Sequence, residues 1–179
     1  MRILKTQYFF LTLFLGLCFT TTAQVDDFQK EIIDYLNMNG TRDQYREAYD
    51  GVFPVLSKNF SEHNIPEEAW QQLKTDKEAQ VDAVIDLLAY AYRNNFTREQ
   101  IQAFTQFYST ETAQKLVQGA ELSETESQQV TAFFEGPMGQ VMQAKRTALA
   151  ADIETVSAEW SKELFMKKMQ RLIKNGYVE

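Results

Sequence analysis

Thiols and imidazoles are nearly missing from this chain: it carries one cysteine, Cys18, and one histidine, His63. Cys18 sits in an apolar N-terminal stretch, so the rest of the chain offers no disulfide, no cysteine nucleophile and no thiolate for zinc. His63 lies in Ser61-Glu62-His63-Asn64, just ahead of Pro66, which reads as a surface loop. Neither an orienting carboxylate nor a nucleophile is nominated beside it, so no catalytic residue is assigned. With one imidazole, a zinc or copper site is not expected, and no cofactor is expected either. Glycine (seven) and proline (three) are also scarce. Glycine-rich phosphate loops, the G-x-S-x-G elbow, H-E-x-x-H pairs and calcium-loop spacings are absent. Positive charge is short as well: 18 Lys and Arg stand against 25 Asp and Glu, for a net charge of −7. Such a surface repels nucleic acid and anionic lipid.

What is present begins with a secretory leader. Met1-Arg2-Ile3-Leu4-Lys5 is a positive start, Tyr8 to Phe19 is an almost unbroken apolar run, and Thr21-Thr22-Ala23 is a small-residue exit. The apolar run is shorter than the ~20 residues of a membrane span. Cleavage is expected between Ala23 and Gln24, which makes residues 1–23 a signal peptide and 24–179 a single exported domain. The expected location is the periplasm or the exterior of a Gram-negative bacterium. A lipoprotein reading through Cys18 fits less well, because Leu17 stands where a small residue is normal.

Ala, Gln, Glu, Lys and Leu dominate and β-strand alternation is nearly absent, so helix is favoured almost everywhere. A first helix is predicted from Asp26 to Asn37, with Gly40 as its stop. Thr41 with Gln44 reads as a capping box opening a second helix, kinked or broken at Pro54. Asn64-Ile65-Pro66-Glu67-Glu68 reads as a helix start, with Trp70 and Leu73 facing inward. Val81, Val84, Ile85, Leu88 and Tyr92 mark a fourth helix closed near Asn94-Asn95, and a long last helix runs from Pro137 towards Lys174, with Gly176 as terminator.

Between them a phrase is used twice. Phe96 to Leu116 and Leu122 to Met142 align at constant offset, so that Phe107-Tyr108 falls on Phe133-Phe134 and Ala113-Gln114 on Gly139-Gln140. Thr97 with Gln100, and Ser123 with Glu126, are capping-box pairs opening each copy. Gly136-Pro137 breaks the second copy, and Thr110-Glu111 holds the same place in the first. Each unit therefore reads as helix, kink, helix. A small residue stands just after the kink for close backbone approach, and a glutamine is placed to bridge nearby carbonyls. The fold class expected is an all-α single-domain helical bundle containing two tandem kinked-helix units and a long C-terminal helix.

The pattern of an aromatic pair, a small or hydroxyl residue, proline, a small residue and glutamine, behind a capping Thr or Ser, resembles DUF2059, a bacterial domain family of unknown function. Phe133-Phe134-Glu135-Gly136-Pro137-Met138-Gly139-Gln140 matches best. Phe107-Tyr108-Ser109-Thr110-Glu111-Thr112-Ala113-Gln114 matches with glutamate in the place of proline. The resemblance spans roughly residues 96–169. It implies an exported, all-helical protein and names no activity.

Function is expected to be non-enzymatic: binding or interaction through a helical surface or aromatic groove. Phe104, Phe107, Tyr108, Phe133, Phe134 and Trp160 are the groove candidates, and core packing is the competing reading of the same residues. The partner would be an apolar ligand or another protein, and a homodimer through the Pro137–Lys174 helix is a further expectation. Two alternatives stay open. One is a small hydrolase using carboxylates from separate helices, against which the acids of Asp26-Asp27, Glu67-Glu68, Glu121, Glu124 and Glu126 fall at helix starts. The other is membrane-surface association, less favoured, through a C-terminal helix carrying Lys162, Lys167, Lys168, Arg171 and Lys174 beside Trp160, Leu164, Phe165, Met169, Leu172 and Ile173.

Overall fold

A computed structural model describes residues 26–178, and the leader expected at residues 1–23 lies outside them. The described chain is all-α. The helices are α1 (Asp27–Met38), α2 (Thr41–Asn59), α3 (Glu67–Leu73), α4 (Lys77–Asn95), α5 (Arg98–Tyr108), α6 (Glu111–Val117), α7 (Glu124–Glu135) and α8 (Pro137–Lys174). Helix α4 is the centre, flanked by α1, α2 and α8, with α5 laid on α1. At 38 residues and ~1.5 Å per residue, α8 is about 57 Å long. Its C-terminal half is sewn into the bundle, and its N-terminal part packs on α7.

Helix ends follow local chemistry. Asp26 caps α1, its carboxylate accepting from the Gln29 amide at 2.9 Å. Gly40 then takes φ +86°, a left-handed turn open to glycine at little cost. The chain re-enters helix at once, so the expected Thr41–Gln44 capping box does not form. Gly40 occupies the cap position, and the Thr41 amide donates instead to Asn39 Oδ1 at 3.0 Å. Pro54 does not break α2. Its missing N–H leaves the carbonyl of Asp50, which lies on the exposed side where water can satisfy it. Pro66 precedes α3 as its cap rather than opening it, and it is Ala69 with Leu73 that is buried there, Trp70 being half-covered. After α8, Gly176 donates to Ile173 O (2.9 Å) and Tyr177 to Leu172 O (3.1 Å), the two bonds of a left-handed helix stop.

Both capping boxes expected at Thr97–Gln100 and Ser123–Glu126 are formed, each with its side chain and backbone bonds reciprocated. At the first break, the Thr110 hydroxyl accepts from the Ala113 amide at 3.2 Å and donates to Phe107 O at 2.7 Å. At the second, Gly136 is extended (ψ −177°) and Pro137 opens α8. Gly139 is buried hard against the end of α7: a Cβ there would lie 1.8 Å from the Phe134 carbonyl oxygen. Only a residue without a side chain lets α8 start that close to the helix before it. The helices beyond the two breaks differ in length, α6 having seven residues and α8 having 38.

Besides the Tyr49–Phe53 pair of α2 (5.4 Å), the described core has two aromatic centres. Tyr35, Tyr92, Phe96, Phe104 and Tyr108 form one, with successive centroids 5.2–5.9 Å apart in edge or tilted geometry. The other joins Tyr45 to Trp160 (5.4 Å, 78°), with Trp160 Nε1 donating to Gln80 O at 3.1 Å.

Candidate functional site

The six aromatics singled out from the sequence do not form one surface. Phe104 is wholly buried on α5, and Trp160 is buried where α8 meets α2 and α4. Both are core residues that no ligand reaches without opening the bundle. The other four gather around one ring. Phe107 stacks flat on Phe133, 3.7 Å between centroids and 3° between planes, with Tyr108 and Phe134 edge-on to Phe107 at 5.2 and 5.8 Å. The doubled aromatic pairs thus close upon each other, but at the periphery: Phe107, Tyr108 and Phe133 are half-buried and Phe134 is 39% exposed.

Beyond Phe134, away from that stack, lies a groove of about 660 Å³ between the bundle and the α7–α8 junction. Tyr35 of α1, Tyr92 of α4 and Phe96 just after α4 come from the body. Phe134, Met142, Leu149 and Ile153 come from the opposite side. Ala150 and Gly139 keep it open, since neither projects a long side chain, and Glu135, Gln140, Gln143 and Arg146 supply the polar groups. Of the sequence candidates only Phe134 lines it. Periodicity identifies Tyr35 and Tyr92 as inward-facing, but it cannot say that the space they face is left unfilled.

Two polar side chains, Gln114 and Lys168, tie elements of the body together, and neither is among the groove residues. Gln114 Nε2 donates to Tyr108 O at 2.6 Å and to Met38 O at 3.0 Å, so one amide bridges the last turns of α5 and α1. Its counterpart in the second unit, Gln140, is exposed at the groove instead. Lys168, expected on the outer basic face, is 2% exposed. Its ammonium donates to Leu73 O (2.6 Å), to Tyr49 OH (3.0 Å) and to Asp76 Oδ1, and lies 5.0 Å from the Tyr49 ring centroid. Burial pulls the Lys168 ammonium down from its usual range, opposed by the Asp76 charge. Burial would push Asp76 up, but the hydrogen bonds from Lys168 and Tyr49 outweigh it and hold the carboxyl below the usual range. The signal was in the spacing: Trp160, Leu164, Lys168 and Leu172 recur every four residues, which puts the lysine in the buried stripe.

Among the described residues, no group of three or more His, Cys, Asp or Glu side chains is placed to hold a metal ion. His63 is exposed, its ring edge-on to Phe60 at 5.9 Å. Two acids at helix starts are held low by specific partners: Asp26 at about 2, by the Arg93 guanidinium first and the Gln29 amide second. Glu126 is held at about 2 by Lys115 and by the Ser123 cap. Of the described acids, Asp86 alone is pushed upward, by burial and then by Asp82; it belongs to α4 and is not among the groove residues.

Residues 82–121 match the model of the family described as an uncharacterized protein conserved in bacteria (DUF2059). The matched stretch covers the second half of α4, all of α5 and α6, and the loop after α6. It includes the first aromatic pair with Gln114, and starts earlier than the resemblance read from the sequence. It leaves out Phe133 to Gln140, the stretch that carried the resemblance most fully. No curated protein and no solved structure matches the chain.

Proposed function

We propose that the chain is a non-enzymatic binding module of the bacterial cell envelope, whose working surface is the groove beside Phe134. The observation that carries this reading is the groove itself. At about 660 Å³, with seven large apolar or aromatic side chains around it, it falls within the 300–1,000 Å³ typical of small-molecule sites. An exported setting agrees with the leader-like N-terminus.

The other readings draw less support. A carboxylate hydrolase needs two acids in one cleft with one of them raised, and the groove holds Glu135 as its one acid. Membrane-surface association through α8 would need its apolar stripe free, yet Trp160, Leu164 and Leu172 are buried in the bundle. The same burial argues against that half of α8 as a dimer seam. No helix among the described residues is long and apolar enough to cross a membrane.

The test is displacement of the apolar fluorophore N-phenyl-1-naphthylamine from the purified protein. Saturable binding, abolished by Ala150→Trp, which fills the groove from a solvent-facing helix position, is the expected result. Non-saturable binding, or binding unchanged in A150W, would refute the assignment.

A further inference from the structure

The groove has a polar rim as well as an apolar body, and the rim carries a sign. Of the other arginines in the described bundle, four are spent on acids, and the exposed Arg171 near the end of α8, away from the groove residues, makes no ion pair. Arg42 pairs with Asp82 (2.8 Å), Arg46 with Glu78 (2.8 Å), Arg93 with Asp26 (2.7 Å) and Arg98 with Glu31 (2.5 Å). Arg146, at the groove, makes no ion pair among the described residues, although Glu135 borders the same space. The two charges are not equivalent. Glu135 is the last residue of α7, set between that helix's electronegative C-terminal end and the electropositive first turn of α8. Arg146 lies more than two turns into α8, beyond the reach of its first-turn dipole, with Lys145 as its neighbour. Its guanidinium is a fork-shaped donor set suited to a planar carboxylate. Gln140 and Gln143 add neutral donors along the same rim.

Resting on the groove reading above, we infer that the occupant is a single-chain amphiphile with an anionic head, concretely a free long-chain carboxylic acid. Its alkyl chain lies among Tyr92, Phe96, Phe134, Leu149 and Ile153, and its carboxylate meets Arg146. Burial of the alkyl chain supplies the affinity, and the head supplies orientation and selectivity. A chain with a quaternary ammonium head would meet Arg146 as a like charge and is disfavoured.

The experiment titrates the purified protein with monomeric tetradecanoic acid, tetradecan-1-ol and tetradecyltrimethylammonium, read by displacement of N-phenyl-1-naphthylamine. The acid is expected to bind at least tenfold more tightly than the alcohol, and the ammonium most weakly. Arg146→Gln should bring the acid down to the level of the alcohol while leaving the alcohol unchanged, and Arg146→Lys should restore part of the difference. Equal binding of acid and alcohol to the unaltered protein would overturn the anionic-head assignment and leave the apolar groove standing. So would R146Q weakening all three probes alike. Failure of every probe would remove the groove reading itself. Co-sedimentation with phosphatidylglycerol vesicles, without binding of the monomeric acid, would assign the site to a membrane surface and overturn the proposal.

Discussion

The rings of Phe107 and Phe133 lie parallel, 3.7 Å between centroids, and join α5 to α7 across a sequence gap that spans α6. Helix α7 has no buried residue of its own, so this contact and the Gly136–Gly139 junction set where it rests. Phe134, next along α7, is thereby placed at the edge of the groove. The doubled phrase thus acts as a clasp whose outer side borders the groove.

If the stack holds α7, Phe107→Ala and Phe133→Ala should not be additive. A double-mutant cycle by urea denaturation is expected to return about 1 kcal/mol of coupling, in the range of aromatic pairs. Zero coupling would mean that the two rings rest on the body independently.

Gly139→Ala tests the junction. The added methyl collides with the Phe134 carbonyl, a backbone atom that moves only if α7 or α8 moves with it. A loss of ~3 kcal/mol, at the upper end of overpacking costs, is expected in thermal melts, with weaker uptake of apolar probes. Ala113→Gly, the matching position in the first unit, should cost only ~1 kcal/mol, as for a glycine introduced into a helix. Equal effects would show that the close approach is not needed.

Lys168→Met should destabilise by about 3 kcal/mol, because it removes the cation facing Asp76 and leaves the Tyr49 hydroxyl to serve both that carboxylate and the Leu73 carbonyl; the low end of the range for a broken buried pair applies, since the Asp76 side chain is 34% exposed. Adding Asp76→Asn should recover part of that loss, because no uncompensated charge remains. If K168M melts like the unaltered protein, the lysine is not held as described.

Stability should form a plateau that falls on both sides. Asp26 and Glu126 at about 2, with Asp76 also lowered, bind protons less readily folded than unfolded. Stability from them is present above the usual carboxylate value, near 4, and is lost as pH drops from there towards 2. Buried Tyr92 is pushed up to about 12 by burial first, and Tyr35 and Tyr49 are raised in the same direction. Those phenols favour the folded state below pH ~10, and that advantage disappears as pH climbs through 10 towards 12. Urea midpoints from pH 2 to 11 should trace this shape. A maximum near pH 3 would contradict it.

Much of the fold was legible because helix caps are local chemistry. Thr97, Ser123, Pro137 and Gly176 each stop or start a helix by bonds to residues within a few positions, and those read directly from sequence. What was illegible depended on distant partners. The Thr41–Gln44 box has the right letters, yet Gly40 is already bent by the end of α1, so the cap is not needed. The four-residue spacing puts Lys168 in the buried stripe of α8, but its partners Asp76, Tyr49 and Leu73 come from loops and helices about a hundred positions away and cannot be read from that spacing. Gln29 likewise sits in the buried stripe of α1, reaching Asp86 O at 3.1 Å, with nothing local to signal it. The groove is the extreme case. Its lining residues are ordinary core types, and their emptiness is a property of how α7 and α8 are held apart from the body.

Methyl resonances answer the central question most directly. With methyl-labelled protein and increasing dodecan-1-ol, Met142, Leu149 and Ile153 should shift together and saturably, while Leu36, Leu56, Leu164 and Leu172 in the core stay fixed. Shifts confined to the exposed Val55, Met166 and Ile173, or no shift up to the solubility limit of the alcohol, would contradict a binding groove at the α7–α8 junction.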